Sequence, residues 1–348
     1  MIFKKKKILN KNFKKVYFIA EIGVNHNGNL ALAKKMIIAA KKSGADAVKF
    51  QTFKAEDLVT PKTQKVKYQK STTSPEETHY EMIKSLELSE KNHLILKNFC
   101  KNRKIDFIST PYGLKAAKYL SKIRCEIFKT ASADIVDLEM HEYLAKKNKP
   151  VLISTGMATM EEIKECVDIY RKYKNNKFIL LHCVSNYPCS TSSLNLNVLI
   201  DLKNTFKCKI GYSDHSIGSD ASTLSVALGA KVIEKHFTIN KKLKGPDQLA
   251  SILPKEFSEM VNNVNKAILI LGKKNKKCQN EEKQMSRVSR KSITFNKNIK
   301  KNMIIKKNDL TLKRPGTGLF YNKINSIIGK KAKKNFFKNY QPNLRDFY

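Results

Sequence analysis

The feature that most constrains the fold is an eightfold alternation of short β-like runs with helix-like segments. Strands that alternate with helices form parallel sheets, because each helix returns the chain to the start of the next strand. Eight such units predict an α/β fold, a closed (β/α)8 TIM barrel over residues 16–272. After the fifth run, Thr159 and Glu162 predict a capped helix start. The runs are YFIAEIG near 17, DAVKFQ near 46, DFISTP near 106, EIFKTAS near 126, PVLIST near 150, FILLHC near 178, CKIGYSD near 208 and KVIEKHF near 231.

Four further segments stand apart from this repeat. Residues 1–15 form a basic N-terminal extension with seven lysines. Residues 52–88, between the second and third runs, form a long polar insertion, and loops of that length in a compact domain are usually functional or disordered. Residues 273–290 have the polar composition of a linker. Residues 291–348 consist of short segments separated by turn residues, which predicts a small, mostly β domain.

Composition narrows the classes of protein to consider. The chain has 348 residues and a formal net charge of +38, which can attract nucleic acid or anionic metabolites. The excess lysines are spread over the whole chain, and no nucleic-acid-reading module is present, so we expect no nucleic-acid partner. No run is long and apolar enough for a membrane span. Seven cysteines without CxxC spacing predict reduced thiols and a cytoplasmic protein.

Polar side chains end nearly every predicted strand. In a TIM barrel the active site lies at the carboxyl ends of the strands, so these residues predict the site. A purely structural barrel would place apolar residues at most of these positions. The strand-end residues are Glu21, Asn25, Lys49, Gln51, Ser109, Thr110, Lys129, Ser132, Asp134, Ser154, Thr155, Ser185, Tyr187, Ser213, His215, Glu234 and His236.

Two subsets of these residues predict specific chemistry. Lys49 and Lys129, expected at neighbouring strand ends and flanked by hydroxyls of Thr110, Ser132 and Ser213, predict a site for a phosphate or carboxylate. His215 and His236 close adjacent strands, and two neutral imidazoles can share a divalent metal while other positions stay open. Oxygen ligands beside only two histidines favour Mn²⁺ or Mg²⁺ over a closed zinc site.

The other histidines are weaker candidates. For His26 and His182, a role in supporting the site and a purely structural role are equally expected. His79, His93 and His141 lie in a loop or on helices, and we expect them at the surface.

At this point a family resemblance becomes specific. The chain resembles the bacterial sialic acid synthases, the N-acetylneuraminate synthase family, over residues 16–272, and residues 291–348 resemble that family's C-terminal antifreeze-like, or SAF, domain. The motifs that carry the resemblance are AEIGVNHNGNL, DAVKFQTF, ISTPY, FKTASAD, LISTGMAT, LLHCVSNYP, GYSDHSIG, VIEKHFT, GPDQLAS and KSITFNKNIKKNMIIKKNDLTLKRPGTG.

The resemblance implies a condensation of phosphoenolpyruvate with an N-acylated mannosamine-type sugar, with release of phosphate. It implies that His215 and His236 bind the metal, with Mn²⁺ expected and Mg²⁺ or Co²⁺ as alternatives. Glu21 and Asp134 are then candidates for proton transfer. The residues implied in substrate binding are Lys49, Gln51, Thr110, Lys129, Ser132, Ser154, Ser185, Tyr187, Ser213, Asp247 and Arg314.

Arg314, in KRPGTG, matches an arginine that in the family reaches the partner subunit's barrel and contacts the N-acyl group of the sugar. A domain-exchanged homodimer is therefore implied. Two positions depart from the pattern: Asp134 stands where many members have Glu, and Ser185 where some have Asn. The long insertion resembles the branch that acts on sialic acid or on legionaminic-type diacetyl sugars, so the substrate stays open among nine-carbon keto sugars.

The sequence leaves two alternative functions open. The first is a sister enzyme that condenses phosphoenolpyruvate with a phosphorylated sugar, although no additional phosphate-binding motif supports it. The second is an inactive barrel that uses its basic surface to bind nucleic acid or polysaccharide. The intact Lys49, Lys129, His215 and His236 argue against a loss of catalysis.

Overall fold

The structure, a computed structural model, describes residues 16–60, 62–74 and 76–348. The predicted basic extension, residues 1–15, lies outside these ranges. The chain divides into two compact units, one up to Gly272 and one from Lys273 to Tyr348.

The first unit is a closed barrel of eight parallel strands in the order in which they occur in the chain. The barrel closes where β1 pairs with β8, in a register that sets Glu21 opposite His236. This confirms the predicted TIM barrel. The strands are β1 (Tyr17–Gly23), β2 (Ala47–Thr52), β3 (Asp106–Pro111), β4 (Phe128–Thr130), β5 (Val151–Ser154), β6 (Phe178–His182), β7 (Lys209–Asp214) and β8 (Val232–His236).

Helices connect the strands and cover the outside of the barrel. Thr159 caps the helix after β5, with Glu162 completing the capping box, as the sequence predicts. The helices of this unit are α1 (Leu30–Lys42), α2 (Ala55–Leu58), α3 (Lys67–Thr72), α4 (His79–Ser85), α5 (Glu90–Asn102), α6 (Leu114–Lys122), α7 (Leu138–Lys146), α8 (Met160–Lys172), α9 (Val198–Phe206), α10 (Asp220–Ala227) and α11 (Pro254–Leu271).

Inside the barrel, the inward-facing side chains change from apolar to polar towards the carboxyl end. Ile19 and Ala47 belong to the buried apolar cluster that fills the lower part of the barrel. Because side chains two residues apart on a strand share a face, Glu21 and Lys49 point into the same interior one layer higher. The apolar layer closes the bottom of the barrel and leaves the polar layer open at the top. The other members of the apolar cluster are Tyr17, Ile108, Ile127, Leu152, Ile179, Leu181 and Val232.

The insertion after β2 is folded over its described residues. It contains the three short helices α2, α3 and α4, and Thr78 with Glu81 forms a capping box at the start of α4. Met82 and Leu86 pack with Phe53 and Val24 in a small apolar cluster of their own. The segment that the sequence marks only as polar therefore has a hydrophobic side.

The second unit has a two-stranded antiparallel sheet, β9 (Ser292–Phe295) with β10 (Leu310–Lys313). Its own apolar core includes Ile293, Phe295 and Phe336. A helix, α12 (Glu282–Ser289), lies within the stretch predicted as a linker, where the sequence predicts no helix. Among the helices that the structure describes, none combines the length and hydropathy needed to cross a membrane.

Candidate active site

The polar layer lines a cavity of about 270 Å³ at the carboxyl ends of the barrel strands. Fourteen of the fifteen predicted site residues belong to the first unit; thirteen of these line the cavity, and Asp134 does not. The thirteen are Glu21, Lys49, Gln51, Thr110, Lys129, Ser132, Ser154, Ser185, Tyr187, Ser213, His215, His236 and Asp247.

Four buried charged groups form the centre of this cavity. The Lys49 ammonium lies 2.9 Å from a Glu21 carboxylate oxygen and 3.7 Å from Glu234. The Lys129 ammonium lies 3.8 Å from the same Glu234 oxygen. The lysines are on β2 and β4, with β3 between them, so the expectation of neighbouring strand ends is wrong. They still meet, because both side chains point inward to Glu234.

The four charges are not equivalent. Burial raises the pKa of Glu21 to about 7, against the opposing effect of Lys49. The protonated and ionised forms of this carboxyl group are therefore both populated near neutral pH. Burial acts in the same direction on Glu234, but Lys129 and Lys49 outweigh it and lower the pKa of Glu234. Protonation of Glu21 would leave two lysines facing one carboxylate. The centre can then carry the excess positive charge that a small anionic ligand requires.

The two lysines respond differently to burial. Burial lowers the pKa of Lys129 despite the attraction of Glu234. For Lys49 burial also opposes the charged form, but Glu21 and Glu234 together raise its pKa. Lys49 is therefore the firmly charged member of the pair, and Lys129 gains most from an arriving anion.

Hydroxyl groups complete the cationic centre. Lys49 donates a hydrogen bond to Thr110 Oγ1 at 3.0 Å, and Lys129 donates to Ser154 Oγ at 2.5 Å. Ser213 Oγ donates to Glu234 at 2.9 Å. Each of these hydroxyls orients a charged group and retains a lone pair or a proton for a ligand.

Gly156 explains how two further hydroxyls of the cavity, those of Ser132 and Ser185, approach the backbone. A Cβ atom at this position would lie 2.5 Å from Ser185 Oγ and 2.9 Å from Ser132 Oγ. Ser132 Oγ instead accepts a hydrogen bond from the Gly156 amide at 3.0 Å. The glycine thus lets the backbone reach the hydroxyls, and any larger residue would displace them.

His215 and His236 lie side by side, with ring centroids 5.6 Å apart. Nδ1 of His215 donates to the Val184 carbonyl at 2.7 Å, which leaves the Nε2 lone pair available, because a carbonyl can only accept. Burial lowers the pKa of His215 to about 4 and that of His236 well below its ordinary value. Both rings are therefore neutral at pH 7, the form that binds metal ions.

The two rings fit an open metal site. Nδ1 of His236 is buried, has no hydrogen-bond partner among the described residues and lies 3.8 Å from an Asp247 carboxylate oxygen. Burial raises the pKa of Asp247 to about 6. Within the described ranges, no group of three or more His, Cys, Asp or Glu side chains is arranged to enclose a metal. Two histidines with open positions fit an ion that shares its coordination with substrate and water.

Aromatic rings form the side of the cavity beside the histidines. The Tyr187 ring lies 4.2 Å from His215 and 5.3 Å from His236, between centroids. Tyr68, from α3 in the insertion, lies 5.5 Å from Tyr187. Neither Tyr68 nor its neighbour Gln69, which also lines the cavity, is among the site residues predicted from the sequence. Both belong to the long insertion, where the motif KYQ contributes to the family resemblance but predicts no contact with the barrel.

Asp134 lies outside the cavity lining, and Arg314 belongs to the second unit. Asp134 is half-buried in a 3-10 turn after β4, where burial and Asp137 raise its pKa to about 7. Arg314 is exposed just after β10 in the second unit. Their suggested roles stay predictions.

Two of the histidines expected at the surface are buried. His93 contacts Thr52 Oγ1 at 3.0 Å and the Gln51 carbonyl at 3.1 Å. His141 is fully buried and hydrogen bonds to Tyr170 at 3.0 Å. The surface prediction is wrong for both, because each ring lies on the inward side of its helix. His79 is half-buried.

His26 and His182 have local hydrogen-bond partners. His26 accepts from the Gly28 amide at 3.0 Å, and burial lowers its pKa to about 3. His182 donates to the Leu194 carbonyl at 2.8 Å. Neither lines the cavity, which favours the structural role for both.

Comparison with known proteins assigns the chain to a family. The model of the NeuB family matches residues 36–276, and that of the SAF domain matches residues 290–339. A protein of Legionella pneumophila named N,N'-diacetyllegionaminic acid synthase is 42% identical over 323 residues, 92% of this chain and 91% of the relative. A Campylobacter jejuni protein of the same name is 41% identical over 325 residues, 93% of this chain and 97% of the relative.

A solved structure agrees. The N-acetylneuraminic acid (sialic acid) synthetase of Leptospira borgpetersenii serovar Hardjo-bovis, in complex with citrate, is 36% identical with a TM-score of 0.70. The similarity covers 78% of this chain and 90% of that one. With most of its barrel matched by the family model and two relatives matched over nearly their whole length, this chain belongs to the NeuB family.

Proposed function

We propose that this protein condenses phosphoenolpyruvate with an N-acylated mannosamine-type sugar to give a nine-carbon 2-keto sugar acid, of the N-acetylneuraminate or diacetyllegionaminate type, and releases phosphate. The observation that carries the proposal is that one cavity holds both a cationic anion-binding centre and a pair of histidines able to bind a metal ion. Buried lysines face hydroxyls at its centre, and two neutral histidines lie beside them. This arrangement suits an anionic substrate together with an aldehyde that must be activated.

In this proposal phosphoenolpyruvate binds at Lys49 and Lys129, with Thr110, Ser132, Ser154 and Ser213 as hydrogen-bond partners. Charge-assisted hydrogen bonds to phosphate and carboxylate are stronger than neutral ones, and a desolvated site strengthens them further. C3 of phosphoenolpyruvate forms the new bond to the aldehyde carbon. Water then adds at C2, and the bond from C2 to the phosphate oxygen breaks.

His215 and His236 would hold the divalent metal, with Mn²⁺ first and Mg²⁺ or Co²⁺ as alternatives. When bound there, the ion supplies Lewis-acid polarisation of the aldehyde oxygen. The support is the neutral state of both rings and the lone pair left at Nε2 of His215.

Glu21 is the proposed group for the proton of the attacking water. Its carboxyl is buried beside Lys49, and its raised pKa suits a group that both accepts and returns a proton near pH 7. Asp134 is the second candidate. Gln51, Ser185, Tyr187 and Asp247 would contact the sugar.

The proposed assembly is a homodimer in which Arg314 of one subunit contacts the N-acyl group of the sugar bound by the other. Exposure of Arg314 supports this proposal, since the side chain is accessible to a partner. We also propose a cytoplasmic location, which the seven unpaired cysteines support.

The test is phosphate release from phosphoenolpyruvate, measured with N-acetylmannosamine, with a diacetylated 6-deoxy analogue and without sugar. We expect release only with a sugar, loss of activity in EDTA and recovery with Mn²⁺. His215→Ala should abolish release while the protein keeps its melting temperature. Release without sugar, or unchanged release by His215→Ala, would contradict the proposal.

A further inference from the structure

A buried ion pair lies behind the two histidines of the cavity. Asp214, at the end of β7, and Lys235, in β8, stand opposite each other in the register of these strands. Their charged groups are 2.9 Å apart, and the side chains are 0% and 2% exposed. Because successive side chains of a strand point to opposite faces, this pair lies on the outer face of the barrel. His215 and His236, the next residue after each partner, line the cavity.

The ion pair marks the end of the hydrogen-bonded ladder between β7 and β8. The register of the two strands ends with Asp214 opposite Lys235. His215 follows the last residue of β7, whereas His236 is the last residue of β8 and pairs in register with β1. The ladder between β7 and β8 therefore stops before the histidines, and the separation of their rings depends on other contacts.

Lys235 contacts both residues that flank His215. Its ammonium pairs with the Asp214 carboxylate and donates a hydrogen bond to the Ser216 carbonyl at 2.7 Å. Asp214 accepts hydrogen bonds from the amide of Ser216 at 2.9 Å and from its hydroxyl at 2.6 Å. An aspartate that accepts from the backbone two residues on closes a local turn. The turn around His215 is thereby attached to the strand that carries His236.

A helix on the outside of the barrel anchors the same carboxylate. Ser222, on α10, is fully buried and donates a hydrogen bond to the second carboxylate oxygen of Asp214 at 2.6 Å. Both oxygens of Asp214 are thus engaged, one by Ser216 and the other by Ser222 and Lys235. Hydrogen bonds to charged groups are strong, and burial strengthens them further. The ion pair therefore has a fixed geometry.

We infer that Asp214 and Lys235 are positioning residues, whose ion pair holds His215 and His236 at the separation and orientation that let both rings bind one divalent metal. The inference rests on the proposed metal site and assigns to it a support outside the cavity. Loss of a group that orients a metal ligand typically weakens metal binding by about 10- to 100-fold. Because Asp214 and Lys235 act through the backbone, we expect the lower end, about a 10-fold rise in the Kd for Mn²⁺.

A double variant separates this role from a purely structural one. Asp214→Asn or Lys235→Met alone leaves an uncompensated buried charge, so each should destabilise the protein whichever role is correct. The combined variant removes both charges and should recover much of the lost stability. It does not restore the link from β8 to the turn around His215, because methionine cannot donate a hydrogen bond. We expect its Mn²⁺ binding to stay weak, whereas a purely structural role predicts recovery of both properties.

The measurement is Mn²⁺ binding to the full-length protein without substrate, followed by the electron paramagnetic resonance signal of the free ion. We expect the wild type to bind Mn²⁺ at a single site, His215→Ala to lose that binding, and the double variant to bind about 10-fold more weakly. Tyr17→Phe is the matched control. It removes a buried hydrogen bond of 2.7 Å to Asp106 at the starts of β1 and β3. It should lower the melting temperature and leave the Kd unchanged.

The outcomes separate the inference from the metal site on which it rests. An unchanged Kd in the folded double variant overturns the inference and leaves the metal site intact. An equal loss of Mn²⁺ affinity in Tyr17→Phe also overturns it, since general destabilisation would then be the cause. A wild type that binds no Mn²⁺, or binding that survives His215→Ala, overturns the metal site and the inference together. If the double variant fails to fold, Ser222→Ala, which removes one anchor of Asp214, should still weaken Mn²⁺ binding, and an unchanged Kd there overturns the inference.

Discussion

Replacing Glu234 by glutamine should destabilise the protein strongly. The carboxylate is 4% exposed and lies 3.7 Å from Lys49 and 3.8 Å from Lys129. At such distances and an effective dielectric constant of roughly 20, each attraction amounts to about 4 kcal/mol. The amide also relieves the cost of burying one charge, so the two attractions do not simply add. Removal of one partner from a buried ion pair typically costs about 3–5 kcal/mol in free energy of unfolding.

The matched control is Asp168→Asn. Asp168 pairs with Lys164 at 2.7 Å, which is closer than either contact of Glu234, but both of these side chains are exposed. An exposed pair contributes about 0–1 kcal/mol. We expect urea unfolding to give a loss several times larger for Glu234→Gln than for Asp168→Asn. Equal losses, or a more stable Glu234→Gln protein, would refute the reasoning that burial determines the strength of these pairs.

Three further predictions concern pH, substrate binding and packing. Because the raised pKa of Asp134, about 7, means that this group holds a proton in the folded protein which the unfolded chain releases, its contribution to stability should fall as pH rises from about 4 to about 7. Asp134→Asn should reduce that fall by on the order of 2 kcal/mol in urea melts, and an unchanged slope would contradict it. Lys129→Met should raise the KM for phosphoenolpyruvate by roughly 10- to 100-fold, which corresponds to the loss of one charge-assisted hydrogen bond. The control Lys164→Met, at an exposed position, should leave this KM unchanged. Gly211→Ala should lower the free energy of unfolding by about 1–3 kcal/mol or more, because its Cβ would lie 2.7 Å from the Val232 carbonyl oxygen, and an unchanged melting curve would show that β7 can move.

The barrel was predictable because its signal is local and repeated. Each strand is a short apolar run that ends in polar residues, and the structure confirms all eight. The fourth is shorter than its run suggests, since only Phe128–Thr130 pairs as strand. The residues after it turn into a 3-10 segment that begins at Ser132. The end of β4 is set by its pairing with the neighbouring strands β3 and β5, which the residues of the run do not reveal on their own.

The side chains that share the cavity were predictable from strand alternation, but their mutual distances were not. The sequence identifies Glu234 as a strand-end residue in VIEKH without assigning it a role. Only closure of the barrel places its carboxylate between lysines from β2 and β4. The spacing of Glu234 and His236, two apart on one strand, was the available signal.

The insertion was the least predictable part. Its polar composition hides Met82 and Ile83, on α4, and Leu86, directly after it, all of which line the cavity. His93 and His141 were misplaced for a similar reason. A helix in a barrel has an inward side, and a single polar residue can lie there if the surrounding structure supplies a partner, as Thr52 and Tyr170 do.

The central claim is that this cavity forms a carbon–carbon bond between phosphoenolpyruvate and an amino sugar. The most direct measurement follows phosphoenolpyruvate labelled with carbon-13 at C3 by NMR, in the presence of the sugar and Mn²⁺. We predict that the label moves into the methylene group of a nine-carbon keto acid, with one phosphate released per product, and that His215→Ala gives neither. Label that appears in the methyl group of pyruvate, or phosphate release without the new methylene signal, would contradict the account.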